Sequence, residues 1–318
     1  MKFKKTLGFL VLIAIILLAT YYIYDNIHLF KDLQIVNPEY IVWMIPLLLL
    51  GLLVTGMMNS QPLRPLGVNL TKWEEFKLAI VTRFYNLITP FKGGMAARAL
   101  YLKQKYKFSY TNFLATLGAS YVIIFLVSSI LGLISTYLIY LSSGNFSLII
   151  FLIFLITFIG MIGIIVVSPK FKETKYSFLN RLIRVINGWH LIKNNHKVVF
   201  LTSLFSLSQL IISALLLYLQ FKVFGINVSF TSTIFLSAIS SLGILIAITP
   251  AGLGISEAII VFSAATIGIG HAESLSAALL GRAVSLVVLF ILGPIFSYIL
   301  FKKKPQLKEE NEKRNIEE

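Results

Sequence analysis

Runs of about 18 or more apolar residues recur from one end of this chain to the other, and that repetition limits its fold more than any other feature. A run such as Phe146–Val167 has no alternation of apolar and polar positions, so it does not suit a β-barrel strand. Residues are 57% hydrophobic and only 13% charged over a length of 318, far more apolar surface than a soluble interior hides. The expected fold is an all-α polytopic membrane protein. Six full spans are expected at roughly 7–24, 40–58, 111–141, 148–167, 198–219 and 275–301, each able to cross a core of about 30 Å. Lys2, Lys4 and Lys5 precede the first of these, which is too long for a signal-peptide core and lacks a small-residue cleavage site, so it reads as an uncleaved span.

Two further apolar regions, about 77–102 and 231–268, each carry a Thr-Pro step followed by glycines. Proline removes a backbone donor and obstructs the preceding turn, while glycine allows a sharp reversal. Each region therefore predicts a broken-helix hairpin that dips into the membrane and returns. With both drawn that way, the N-terminus, residues 59–110, residues 168–197 and the C-terminal tail all face the cytoplasm. They hold 3, 9, 7 and 6 Lys/Arg, which is 25 of 28, as the positive-inside rule requires. For the second region, three full crossings between Phe230 and Leu300 give the same final orientation. The net charge of +15 is thus concentrated in loops that meet anionic lipid, and no aromatic-studded basic module suggests a nucleic-acid partner.

The two breaks resemble each other. Ile88–Ala99 reads ITPFKGGMAARA and Ile248–Ala258 reads ITPAGLGISEA. In the expected topology they enter from opposite sides, which makes an inverted repeat of about eight apolar segments, with a site near the midplane. Backbone groups freed by a break cannot face lipid and must be buried or line a wet cavity. The half-helices after Gly93-Gly94 and Gly252–Gly254 would present N–H groups and a positive dipole end there, suited to an anion. Arg98 either receives a phosphate, which guanidinium geometry favours, or snorkels to the interface. Glu257 is either a proton- or cation-coupling carboxylate or half of a fixed ion pair with Arg98 or Arg282. Arg282 either faces the second hairpin or snorkels outward, and Arg83 and Lys92 either join the site or reach headgroups. Thr89 and Thr249, before Pro90 and Pro250, are expected to cap freed backbone groups. His271 and Glu273 fall in a short solvated connection.

No metal site, cofactor motif or catalytic constellation is present: there is no Cys, HExxH, Gly-x-Ser-x-Gly or P-loop, and the only Asp residues are Asp25 and Asp32. Residues 1–301 read as one membrane domain and 302–318 as a charged tail.

Pro250–Ala258, PAGLGISEA, resembles the signature of the lysylphosphatidylglycerol synthase transmembrane-region family, also called flippase-like domain proteins. Pro90, Gly94 and Arg98, followed by Ala-Leu-Tyr-Leu, resemble its earlier motif. That motif commonly has a carboxylate directly after the glycine, where this chain has Met95. The resemblance implies a multi-pass protein of the prokaryotic cytoplasmic membrane that moves an anionic or zwitterionic lipid between leaflets. The charges place both termini in the cytoplasm, and with the basic half-helix site the expected cargo is an anionic phospholipid or polyprenyl-phosphate-type lipid. Gly93, Gly94, Arg98, Gly252, Gly254, Glu257 and Arg282 would bind its headgroup. It does not imply aminoacylation, since in the fused synthases that chemistry belongs to a soluble C-terminal domain and this chain ends about 17 residues after its last expected span. The alternative is a non-transporting membrane subunit that supports a separate lipid- or glycolipid-modifying enzyme.

Overall fold

The computed structural model describes residues 34–302, apart from 90–91, 169, 173, 177–178, 181–182, 184–186, 246–248 and 250–251. The span expected at 7–24, the two break prolines Pro90 and Pro250 and nearly all of the tail lie outside the described residues. Nine α-helices run through the rest: α1 Glu39–Ser60, α2 Lys72–Ile88, α3 Gly93–Tyr106, α4 Tyr110–Ser143, α5 Leu148–Val167, α6 His196–Val223, α7 Phe230–Leu242, α8 Ile255–Ala265 and α9 His271–Phe301. Among the described residues five helices are long and apolar enough to cross a membrane, α1 (with the 3-10 turn Gln61–Leu66 that continues it), α4, α5, α6 and α9. They coincide with the five expected spans after the first.

Helix ends follow local chemistry. Thr71, Ser109, Asn195 and Ser229 each accept a backbone N–H from their own first turn, which starts α2, α4, α6 and α7. Gly67 and Gly144, both left-handed, close the turn after α1 and the end of α4. The two expected breaks are present. α2 and α3 are separated by residues 89–92, and α7 and α8 by residues 243–254. With 13 and 11 residues, α7 and α8 are each about 20 Å or less in length, too short to cross alone.

Lipid tails are as apolar as leucine, so helices in a membrane associate through close packing and internal hydrogen bonds. α1 and α6 run antiparallel: Gly51 meets Ile212, the Thr55 hydroxyl donates to Gln209 Oε1 (2.9 Å), and the N–H groups of Val36 and Asn37 donate to the Val223 carbonyl. Their contact joins two clusters. One surrounds Met44, Leu52, Ile80 and Leu289 among α1, α2, α6 and α9. The other surrounds Phe154, Phe221, Phe235 and Leu236 among α4, α5, α6 and α7. The first arm of each hairpin packs on a long helix from the other half of the chain: α2 on α9, and α7 on α4. The base of the first hairpin lies with the C-terminal end of α9, where Trp73 meets Phe296 and Tyr101 meets Phe301. The base of the second lies at the opposite end of the bundle, where Phe230 meets Tyr218 and Asn145 donates to the Ile267 carbonyl.

Candidate functional site

The two hairpins meet at their tips. Lys92, in left-handed conformation (φ 58°) at the start of α3, donates through Nζ to the Ile244 carbonyl in the second break. A chain that turns out of helix leaves carbonyls without partners, and a lysine brought in from the other half of the molecule takes one of them.

At the second break, Thr249 donates through Oγ1 to the Leu253 carbonyl (2.8 Å), and Gly252 donates through its N–H to the Thr249 carbonyl (3.0 Å). Gly252 and Gly254 have φ of 68° and 80°, values that favour glycine and account for both residues. Glu257 lies in the first turn of α8 and is 8% exposed. Its Oε2 accepts the Gly254 N–H at 2.7 Å, while Oε1 accepts from Arg282 Nε at 2.6 Å, with Nη2 at 2.5 Å. The carboxylate therefore joins three jobs: it caps α8, neutralises Arg282, and ties the second hairpin to α9. Of the two partners open to Glu257 in the sequence, Arg282 is the one it has.

The first break is organised differently. Thr89 donates through its hydroxyl back to the Tyr85 carbonyl, the capping role expected of it. α2 and α3 approach so closely that a Cβ on Gly93 would fall on the Thr89 hydroxyl, and one on Gly94 on the Thr82 carbonyl. Asn86 Oδ1 accepts the Gly94 N–H (2.9 Å). Both half-helices were expected to open with unpaired N–H groups, yet Gly94 and Gly254 have theirs taken by Asn86 and Glu257. A polar side chain within a turn or two of the break supplies an acceptor without admitting water.

Arg98 sits one turn into α3 and is only 5% exposed. Its Nη2 donates to the Asn59 carbonyl (2.6 Å) at the end of α1, and its guanidinium lies 5.5 Å from the Phe113 ring centre. It forms no ion pair among the described residues. It lines a small cleft with Gly56, Asn59, Glu75, Thr82 and Leu78. Arg98 and the Glu257–Arg282 pair are thus separate features, one in each half. Arg83 lies within electrostatic range of Arg282.

Residues 74 and 75 were not among the sequence candidates. Glu74 accepts from both Tyr101 and Tyr106 and pairs with Lys105 at 2.8 Å, which locks the base of the first hairpin. Glu75 accepts from the Ser60 hydroxyl. Thr71-x-x-Glu74 is a helix-start pattern, and it was the available signal for this region. Nothing in the sequence marks Asn59 or Asn86. At the other connection, Glu273 accepts the Gly270 N–H and caps α9. Among the described residues no group of His, Asp and Glu is arranged to hold a metal.

An all-helical bundle with, among the described residues, five membrane-length helices and two interrupted ones, tied together by an internal ion pair, defines a polytopic membrane protein. The chain belongs to the family described as the lysylphosphatidylglycerol synthase transmembrane region, whose model matches residues 6–293. That family is the membrane part of the synthase and not its catalytic domain, and it gives the chain a membrane, lipid-related role. Comparisons with curated proteins and with solved structures gave no match.

Proposed function

We propose that the protein moves a lipid with an anionic headgroup between the leaflets of the prokaryotic cytoplasmic membrane, and that Arg98 receives the headgroup phosphate. The observation that carries this is the burial of Arg98 beside a cleft, with one backbone carbonyl as its hydrogen-bond partner and no ion pair among the described residues. A guanidinium has five donors, and a buried one outside any direct ion pair favours an anion strongly. In the same reading α2–α3 and α7–α8 are re-entrant hairpins of an inverted repeat. The reciprocal packing of α2 on α9 and α7 on α4, the placement of the two hairpin bases at opposite ends of the bundle, and the Lys92 contact between the tips support it.

Liposomes with a trace of NBD-labelled phosphatidylglycerol, bleached from outside by dithionite, test the activity. Wild type should expose the inner-leaflet label, and Arg98→Ala should slow that exposure about 10-fold or more, the worth of one or two hydrogen bonds to a charged group. Equal rates for wild type, Arg98→Ala and protein-free liposomes would reject the reading. Topology has its own check, because the chain has no native cysteine. Cysteines at Met95 and Ile255 should react with an impermeant maleimide from opposite faces of the membrane, and reaction of both from one face excludes the inverted arrangement.

A further inference from the structure

Glu74 and Glu75 are neighbours in the first turn of α2, both buried, and their surroundings are opposite. Burial alone would raise the Glu74 carboxyl, but the hydrogen bonds from Lys105, Tyr101 and Tyr106 outweigh it and hold the group below its usual range. Glu74 therefore stays ionised as a structural lock. Glu75 is 3% exposed and has one hydroxyl donor, Ser60, with Arg64 Nη2 at 3.9 Å on a partly exposed side chain. Burial pushes its carboxyl up, and Ser60, Arg64 and Lys72 only partly offset that, with Glu74 adding to the rise. Two adjacent carboxylates driven apart in this way are a recurrent means of giving one of them a proton to carry.

The position of Glu75 gives that proton a use. Glu75 lines the same cleft as Arg98, and the two bind consecutive residues at the end of α1: Arg98 the Asn59 carbonyl, Glu75 the Ser60 hydroxyl. They form no direct ion pair. The charged groups that bear on Glu75 are Arg64 on the 3-10 turn and Lys72 and Glu74 on α2 itself, and Arg98 on α3 lines the same cleft. α9, on the other side of α2, contributes the apolar Phe296, which meets Phe76 next to Glu75. With Glu75 ionised the cleft holds one negative and one positive group; with Glu75 protonated, Arg98 alone sets its charge. Glu257, by contrast, is committed to Arg282 and the Gly254 N–H.

We infer that Glu75 is the proton-coupling carboxylate of this protein, taking up a proton as the lipid phosphate binds at Arg98. The inference rests on the reading of Arg98 as the headgroup site. Proton and anion then favour each other's binding by the same factor, as linkage demands. Between the pKa of Glu75 in the free protein and its higher value in the lipid-bound protein, affinity should fall by up to about tenfold per pH unit.

The test is calorimetric titration of the purified full chain with dihexanoyl phosphatidylglycerol, a phosphodiester that does not titrate between pH 5.5 and 8.5. Repetition in buffers of different ionisation enthalpy counts the protons taken up. Wild type should take up protons with a pH-dependent stoichiometry that is largest between the Glu75 pKa values of the free and the lipid-bound protein and falls away on either side. Glu75→Gln, whose amide oxygen still accepts from Ser60, should bind with no uptake and a flat pH profile. Glu75→Asp should keep uptake with a displaced midpoint, which covers the case in which the Gln variant does not fold. Arg98-dependent binding without proton uptake, or with uptake unchanged in Glu75→Gln, overturns the coupling role and leaves the headgroup site standing. Binding that is absent, or indifferent to Arg98→Ala, removes the headgroup site and this inference with it.

Discussion

Glu257→Ala is expected to destabilise the protein by about 3–5 kcal/mol, the usual cost of removing one partner from a buried ion pair. The substitution leaves the Arg282 guanidinium in the bundle without its carboxylate and takes the acceptor from the Gly254 N–H, so α8 loses its cap as well. The double variant Glu257→Ala with Arg282→Met should recover most of the ion-pair part of the loss, because an apolar pair of similar volume is tolerated where half a pair is not. It should not recover the cap, a remaining cost of about 1 kcal/mol. Thermal unfolding in detergent checks both. A loss below about 1 kcal/mol for Glu257→Ala would mean that the pair is solvated, as exposed pairs are.

The second large effect belongs to Gly94. A methyl group there would overlap the Thr82 carbonyl oxygen and crowd Asn86 Oδ1, so Gly94→Ala has to push α3 away from α2. The displaced atom is backbone and has no alternative rotamer, which places the expected cost at or beyond the upper end of the roughly 1–3 kcal/mol typical of overpacking. Arg98 stands on the same face one turn further along α3, so lipid translocation should fall along with stability. Gly160→Ala and Gly163→Ala supply the contrast. Both positions are helical, and an added Cβ meets nothing within 4 Å at either. Both variants should be neutral or stabilised, by up to about 1 kcal/mol from helix propensity. Comparable losses at all three positions would show that the chain is merely intolerant of added bulk.

Much of this architecture was legible because a bilayer punishes ambiguity. A helix that crosses lipid must be apolar on every side and long, and the five described spans advertised themselves in that way. The breaks were legible too, since Thr-Pro followed by glycines has few other uses inside an apolar run. What the sequence left open were choices that depend on which faces meet. Glu257 had two basic partners open to it, and Arg282 has it because α9 packs along α8 while Arg98 stands in the other half. The caps on the half-helices were hidden for a similar reason. Asn86 precedes Gly94 by eight residues, and only a reversal of known geometry brings its amide back to that N–H. Glu75 is hidden in the sequence because a carboxylate among the Lys and Arg residues of 59–110 looks like part of a solvated charged stretch. Its burial depends on the end of α1 folding over it, with Gly56 so close that a Cβ there would strike the Glu75 carbonyl.

The tip-to-tip meeting of the hairpins has an electrical consequence. If the hairpins are re-entrant, as proposed, and water reaches each tip from its own side, the contact of Lys92 with the Ile244 carbonyl lies where the approaches from the two faces of the bilayer meet. A voltage falls mainly where the insulating layer is, so a thin barrier between two wet approaches carries most of the membrane potential. Moving one elementary charge through the full potential is worth about 2.3 kcal/mol per 100 mV. A bare anion stepping past the tips would feel nearly all of that within a few ångströms, whereas an anion accompanied by a proton would cross as a neutral pair and feel almost none.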